Sequence, residues 1–287
     1  MITHQEKKVI TTQDGYKITA LVLTPKNSSP KAVIQFHSGT VTKKEFYLKL
    51  AIYLVTQNFI IILFDYRGVG ESKPKSLKGF EMSITDWGRQ DANAVTSWIK
   101  TEYPLLKIHL LAHSMGGQIY GLMHEWNAFE KIIMLTTSSG NFNKFAPLLY
   151  KWKIKWPTII LLPSIIKVFS YLPGKFGVGE DWPKGVALDW IKNSKDNGLM
   201  PNYLHMKVNQ SYFKQIDKKI TAWYFTDDPI STSATIKELS LSYPKAKLNI
   251  KTIHPKEVEL DSIGHFGLFK TKAKNRLWPL LAIELES

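Results

Sequence analysis

Short apolar runs, many of them β-branched, recur along this chain and constrain its fold more than any other feature. AVIQF at 32–36, FIIILF at 59–64, IHLLA at 108–112, IIMLT at 132–136 and TAWYFT at 221–226 are each a few residues long. Runs this short and continuous suit strands covered on both faces, the condition of a parallel sheet between layers of helices. The segments between them have helical spacing. Residues 45–57 place Phe46, Leu50, Tyr53 and Leu54 on one side, and 83–102 place Trp87, Val95, Trp98 and Ile99 there, before Pro104 ends the pattern. A helix is expected from near Met115, another from Ser233 to Leu241, a strand at 247–253 and a last helix at roughly 273–285. Strands at 8–12 and 16–23, around Asp14-Gly15, read as an antiparallel edge. The pattern is that of an α/β protein with a mostly parallel central sheet and helices on both faces.

The alternation stops between 140 and 205. That stretch is rich in Trp, Pro, Gly and Lys and reads as short helical pieces at best. It is taken as an inserted cap that divides the core into a first part, 1–139, and a second part, 206–287. No internal repeat or low-complexity tract is present.

Charge and cysteine usage remove several classes of function. The net charge is +14, but the lysines are dispersed and no nucleic-acid motif accompanies them, so the surface reads as basic without a nucleic-acid partner. There is no cysteine, which excludes disulfides, thiolate catalysis and zinc–thiolate sites, and fits a cytoplasmic setting. The first residues, MITHQEKKVITTQDG, lack the apolar core of a signal peptide. The longest candidate span, Thr158 to Val168, is broken by Pro163 and carries Lys167. No His-x-x-x-His or clustered-carboxylate spacing marks a metal site, and no organic cofactor is implied.

The segment Leu110-Leu111-Ala112-His113-Ser114-Met115-Gly116-Gly117 carries the chemistry. A buried strand runs into a serine flanked by small residues, and a helix follows, which is the setting of a nucleophile elbow. The usual pattern is G-x-S-x-G, and Ala112 stands in place of the first glycine. A serine hydroxyl is a poor nucleophile until a base takes its proton and an acid orients that base. Asp227-Asp228-Pro229 follows the strand 221–226, and His265, in Ile263-Gly264-His265-Phe266-Gly267, follows the strand 247–253. The order Ser, Asp, His is the order such an elbow requires. Asp228, directly before the proline turn, is preferred as the acid; Asp227 is the alternative and Asp261 a third. His113 is expected to point away from the hydroxyl and pack. Two N–H donors should face the developing oxyanion. Met115, after the serine, is one, and Gly39 in His37-Ser38-Gly39-Thr40 is preferred as the other, with Thr40 also possible.

On these residues the chain resembles the alpha/beta-hydrolase superfamily over nearly its full length. Asp65-Tyr66-Arg67-Gly68-Val69-Gly70-Glu71-Ser72 is similar to the superfamily's turn after its fourth strand, a structural element. Within the superfamily the chain resembles a little-characterised bacterial branch of predicted serine hydrolases. The segments that carry this are Tyr171-Leu172-Pro173-Gly174, Gly179-Glu180-Asp181, FTDDP, IGHFG and Leu277-Trp278-Pro279-Leu280. The departures are Ala112 and His37-Ser38-Gly39, where a His-Gly pair is common.

The resemblance implies a hydrolase without naming a substrate. The leading expectation is cleavage of a small-molecule ester or acyl substrate, including thioesters, through an acyl-enzyme on Ser114. Peptidase, amidase and acyltransferase activities share the same triad, and a non-catalytic ligand-binding protein on the same fold is the alternative class. The apolar residues of Trp152-Lys153-Ile154-Lys155-Trp156-Pro157, of 158–162, and Ile165, Ile166, Val168 and Phe169 are expected either to line an acyl pocket or to pack the cap on the core. The lysines among them could also bring the cap to an anionic membrane surface. The sequence leaves the oligomeric state open.

Overall fold

The computed structural model describes residues 3–26, 29–176, 179–196, 198 and 211–287. Eight strands form one sheet: β1 (Thr3–Thr11), β2 (Lys17–Pro25), β3 (Ala32–His37), β4 (Phe59–Phe64), β5 (Ile108–His113), β6 (Phe129–Leu135), β7 (Lys219–Phe225) and β8 (Lys247–Ile253). Their spatial order is β1-β2-β4-β3-β5-β6-β7-β8. The β1–β2 and β2–β4 pairs are antiparallel and every later pair is parallel, so the expected antiparallel edge is present.

The period-2 geometry of the apolar runs builds two cores. Ile60, Ile62 and Phe64 of β4 point to one side, with Val33, Leu110, Ala112, Ile132 and Met134. Phe59, Ile61 and Leu63 point to the other, with Ile34, Phe36, Leu111, Ile133 and Leu135. Every residue of β3, β4 and β5 is buried, as a sheet covered on both faces demands.

Helix α1 (Leu48–Thr56) follows a 3-10 turn at Lys44–Tyr47. The second helical segment runs from α2 (Ile84–Asp86) through a π turn at Trp87–Ala92 into α3 (Asn93–Glu102). After Ser114 comes a short α4 (Met115–Gln118), which tightens into a 3-10 turn at Ile119–Leu122. Ser233–Ser242 and Trp278–Glu286 are the last two helices. The final one starts later than expected because Pro279, which lacks an N–H, sits in its first turn and sets the entry.

The segment between β6 and β7 is more regular than its composition suggests. It contains α5 (Leu148–Ile160, 13 residues), α6 (Leu162–Phe169, 8 residues) and α7 (Lys184–Lys195, 12 residues). The prolines do not break it up, because most stand where helices start. Pro147 caps α5, Pro163 lies in the first turn of α6 and Pro183 caps α7; among the described residues of the segment only Pro157 is inside a helix. The expected boundary at 205–206 lies outside the described residues. No helix among the described residues is long and apolar enough to cross a membrane.

The turn at 65–72 is a structural clamp. The Asp65 carboxylate accepts from the Lys44 N–H (2.9 Å), the Lys44 ammonium (2.6 Å) and the Glu71 N–H (3.0 Å). Arg67 donates to Asp91 through Nε (2.7 Å) and to Asp14 through Nη1 (2.6 Å). Glu45, Asp65 and Glu71 converge at the spacing of a cation site. The Lys44 ammonium pairs with all three, at 2.6–2.9 Å.

Candidate active site

The sheet has one point where its winding reverses. From β3 the chain goes to β4 on one side, and β5 then returns to the opposite side of β3. Such a switch opens a crevice at the carboxyl ends of the two strands, where open α/β sheets bind ligands. Ser38–Thr40 leaves β3 and Ser114 leaves β5 at that crevice, with His37 beside Ala112 in register.

Ser114 has φ +51° and ψ −116°, a conformation that costs a non-glycine residue on the order of 1–3 kcal/mol. The surroundings hold it there. Its N–H donates to the Leu135 carbonyl at 3.0 Å, and its carbonyl accepts from Gly117 at 3.1 Å. Gly116 lets β3 approach the turn: a Cβ on it would stand 2.5 Å from the His37 carbonyl oxygen. His37 reinforces this contact, with Nδ1 3.1 Å from the Gly116 carbonyl and Nε2 3.0 Å from the Gln35 amide nitrogen. Burial lowers the pKa of His37 to about 4, so the ring stays neutral, donates to Gly116 and accepts from Gln35.

Three sequence-expected residues meet here. Ser114 Oγ lies 2.9 Å from His265 Nε2, and His265 Nδ1 lies 2.7 Å from Asp228 Oδ2. Ser114 is half-buried, so its hydroxyl can be reached, whereas Asp228 and His265 are buried. The second Asp228 oxygen accepts from the Ile230 and Ser231 N–H groups, at 2.8 and 3.1 Å, which fixes the carboxylate plane.

The two adjacent aspartates have separate tasks. Asp227 does not touch His265; its carboxylate accepts from the N–H groups of Ile263 (2.8 Å) and Gly264 (3.0 Å). It thereby holds the loop that presents the histidine. Asp261, close to His265 in sequence, is exposed.

His113 is fully buried, and its two ring nitrogens contact the Tyr47 hydroxyl and the His265 carbonyl. Burial, and then the neighbouring His265, push its pKa well below the ordinary histidine range. A directional chain of hydrogen bonds runs through it. The Gly39 N–H donates to the Tyr47 hydroxyl (2.8 Å), Tyr47 donates to His113 Nδ1 (2.8 Å), and His113 Nε2–H donates to the His265 carbonyl (3.1 Å). Each link fixes the next: a Tyr47 oxygen that accepts from Gly39 gives its proton to Nδ1, which leaves the ring proton on Nε2. The chain ties the β3 loop to the histidine loop.

This chain corrects one expectation. The Gly39 N–H is directed at Tyr47 and is not available to an oxyanion. Glycine stands at 39 because of close packing: a Cβ there would lie 2.8 Å from His113 Nδ1. Thr40, the other residue considered, is half-exposed in the same loop. Next to it, Val41 takes φ +48°, rare for a β-branched residue, and turns the loop sharply at this point. At the elbow, Met115 is the first residue of α4, where a backbone N–H has no intrahelical acceptor. Tyr47 was missed from sequence because the 3-10 turn changes the phase of its helix. Phe46, expected inside, is 39% exposed, while Tyr47 is buried.

The strand order, the elbow at the switch point and the Ser–His–Asp geometry together decide the fold. This chain is an alpha/beta-hydrolase by fold. Residues 28–166 match the family model described as serine aminopeptidase, S33. Among solved structures, the Pyrococcus furiosus esterase Pf2001 is 18% identical with a TM-score of 0.62; the match covers 99% of this chain and 90% of that one. A soluble variant of the Saccharomyces cerevisiae monoglyceride lipase, in complex with a substrate analogue, is 14% identical with a TM-score of 0.68, covering 99% and 95%. The Exiguobacterium antarcticum esterase EaEST is 16% identical with a TM-score of 0.58, covering 98% and 100%. No curated protein matches the chain by sequence.

Proposed function

We propose that this alpha/beta-hydrolase cleaves carboxylic esters or thioesters through an acyl-enzyme on Ser114. The observation that carries this reading is the unbroken line from a strained serine through His265 to Asp228, with contacts of 2.9 and 2.7 Å. In the first half-reaction His265 Nε2 takes the Ser114 proton as Oγ bonds to the carbonyl carbon. The tetrahedral oxyanion faces the Met115 and Thr40 N–H groups. His265 then returns the proton to the leaving alcohol or thiol as its bond to carbon breaks. In the second half-reaction water enters by the same proton transfers and releases the acid, restoring Ser114. Asp228 keeps Nδ1 protonated and stabilises the imidazolium that forms twice in each cycle.

The family-model match and the esterase and lipase neighbours support hydrolysis, and those neighbours favour ester over amide substrates. The test is turnover of a panel of soluble p-nitrophenyl esters by the wild type and by Ser114→Ala. The expected result is hydrolysis by the wild type and a loss in kcat of about a million-fold in the variant. Equal residual rates in the two proteins would exclude Ser114 as nucleophile and favour a non-catalytic ligand-binding protein.

A further inference from the structure

The helices between β6 and β7 turn apolar side chains outward. A surface helix of a globular protein normally buries its apolar stripe. On α5, the residues at four-residue spacing Leu148, Trp152, Trp156 and Ile160 are all exposed, and Leu149 beside them is 76% exposed. The opposite side buries Thr158 and half-buries Ile154 and Ile159. Leu161, Val168 and Phe169, in and around α6, extend the exposed apolar surface. The rings of Trp152 and Trp156 stack at 5.4 Å, nearly parallel, although each is 45% exposed. Ile166 is buried in the core with Leu162 and Ile165 packed against it, so the inner side packs the segment on the core, one of the two roles expected from the sequence, and leaves the outer stripe in solvent.

Charge identifies what covers this face. Residues 145–179 contain no Asp or Glu and five lysines, at 151, 153, 155, 167 and 175. Lys153 and Lys167 are exposed within the helices themselves. The Lys175 ammonium lies 5.0 Å from the Phe176 ring centre and 5.8 Å from that of Phe169. A second copy of the same face would set lysine against lysine without a carboxylate to pair them. A nucleic acid would leave the aliphatic side chains of Leu149, Ile160, Leu161 and Val168 without an apolar partner. An anionic lipid surface supplies both needs, with phosphates for the lysines, acyl chains for the aliphatic residues and a polar–apolar boundary for the indoles.

We propose that α5 and α6 dock the protein on an anionic lipid bilayer. The helix that carries this face adjoins the turn that holds Asp228. The Ala146 N–H donates to the Pro229 carbonyl at 3.0 Å, and Tyr150, in the first turn of α5, lines one cleft with Asp228 and Thr232. The inference stands on exposure and charge and does not depend on the chemistry assigned to Ser114.

The experiment is co-sedimentation of the full chain with vesicles of phosphatidylglycerol and phosphatidylcholine, against phosphatidylcholine alone. It uses the wild type, Ser114→Ala, Trp152→Ser/Trp156→Ser and Lys153→Glu/Lys167→Glu, with circular dichroism to show that each folds. Wild type and Ser114→Ala should bind the anionic vesicles alike and release them in high salt. Each double variant should bind at least about tenfold more weakly. Lack of binding to anionic vesicles at low salt would overturn the proposal, as would undiminished binding by folded double variants. A lipid-free dimer that Trp152→Ser/Trp156→Ser dissociates would assign the face to self-association instead.

Discussion

The rim of the sheet and the helical segment above it treat their side chains in opposite ways. At the rim, Ser114, His265, Asp228, His113 and Tyr47 form a continuous hydrogen-bonded set in a mostly buried setting, around a backbone held at φ +51°, and Asp227 holds the histidine loop from outside. In α5 and α6, large apolar side chains lie in solvent next to exposed lysines, Lys153 and Lys167. The first region is constrained from within, so that moving one group leaves another buried group unpaired. The second is constrained by whatever it meets outside the chain. Substitutions should therefore be costly at the rim and nearly silent, in the isolated protein, on the outer helices.

The sharpest test of this contrast after Ser114→Ala is Asp228→Asn. The amide would keep the packing but favour the wrong imidazole tautomer, and kcat for a soluble ester should fall by about ten-thousand-fold with little change in KM. Asp227→Asn should act more mildly, because it weakens the hold on the Ile263 and Gly264 N–H groups without touching the ring. A loss of about a hundredfold in kcat is expected, with the thermal midpoint only slightly lowered. If Asp227→Asn were as damaging as Asp228→Asn, the division of labour between the two aspartates would be wrong.

Acid should weaken the rim from a different direction. Burial depresses the His37 pKa from 6.5 to about 4, so between these values the unfolded chain binds a proton that the folded chain refuses. Stability from this source is complete above the unfolded value and is lost as pH falls through the window, by roughly 1.4 kcal/mol per pH unit at most. Denaturant titrations between pH 7 and about 4 should show the wild type losing stability more steeply than His37→Gln. A common slope would remove His37 from the account.

The smallest effect is expected in the helical segment. Trp152→Ser/Trp156→Ser should leave folding stability unchanged within about 0.5 kcal/mol and soluble-ester turnover unaltered. A large loss of either would show that these indoles belong to the core or the substrate pocket.

The same contrast explains which parts could be read from sequence. The rim was legible because each of its constraints is local. A buried strand ending in a tight turn needs small residues beside the serine, as Gly116 against His37 illustrates, and the fold fixes the order in which acid and histidine follow. What escaped was tertiary. The Gly39 N–H turns to Tyr47, a partner eight residues away in the next helical segment, and a 3-10 turn decided whether Phe46 or Tyr47 went inside. The helices of 148–195 were hidden by prolines that serve as helix starts. Their outward apolar stripe has the periodicity of an ordinary buried helix, so the pattern alone gives the stripe and not the direction it faces.

Labelling with a fluorophosphonate followed by peptide mass spectrometry tests most directly whether Ser114 is an activated nucleophile. The expected result is one adduct, on Ser114, absent in Ser114→Ala and strongly slowed in Asp228→Asn. A folded wild-type protein that takes up no probe, or that carries it on another residue, would contradict the assignment.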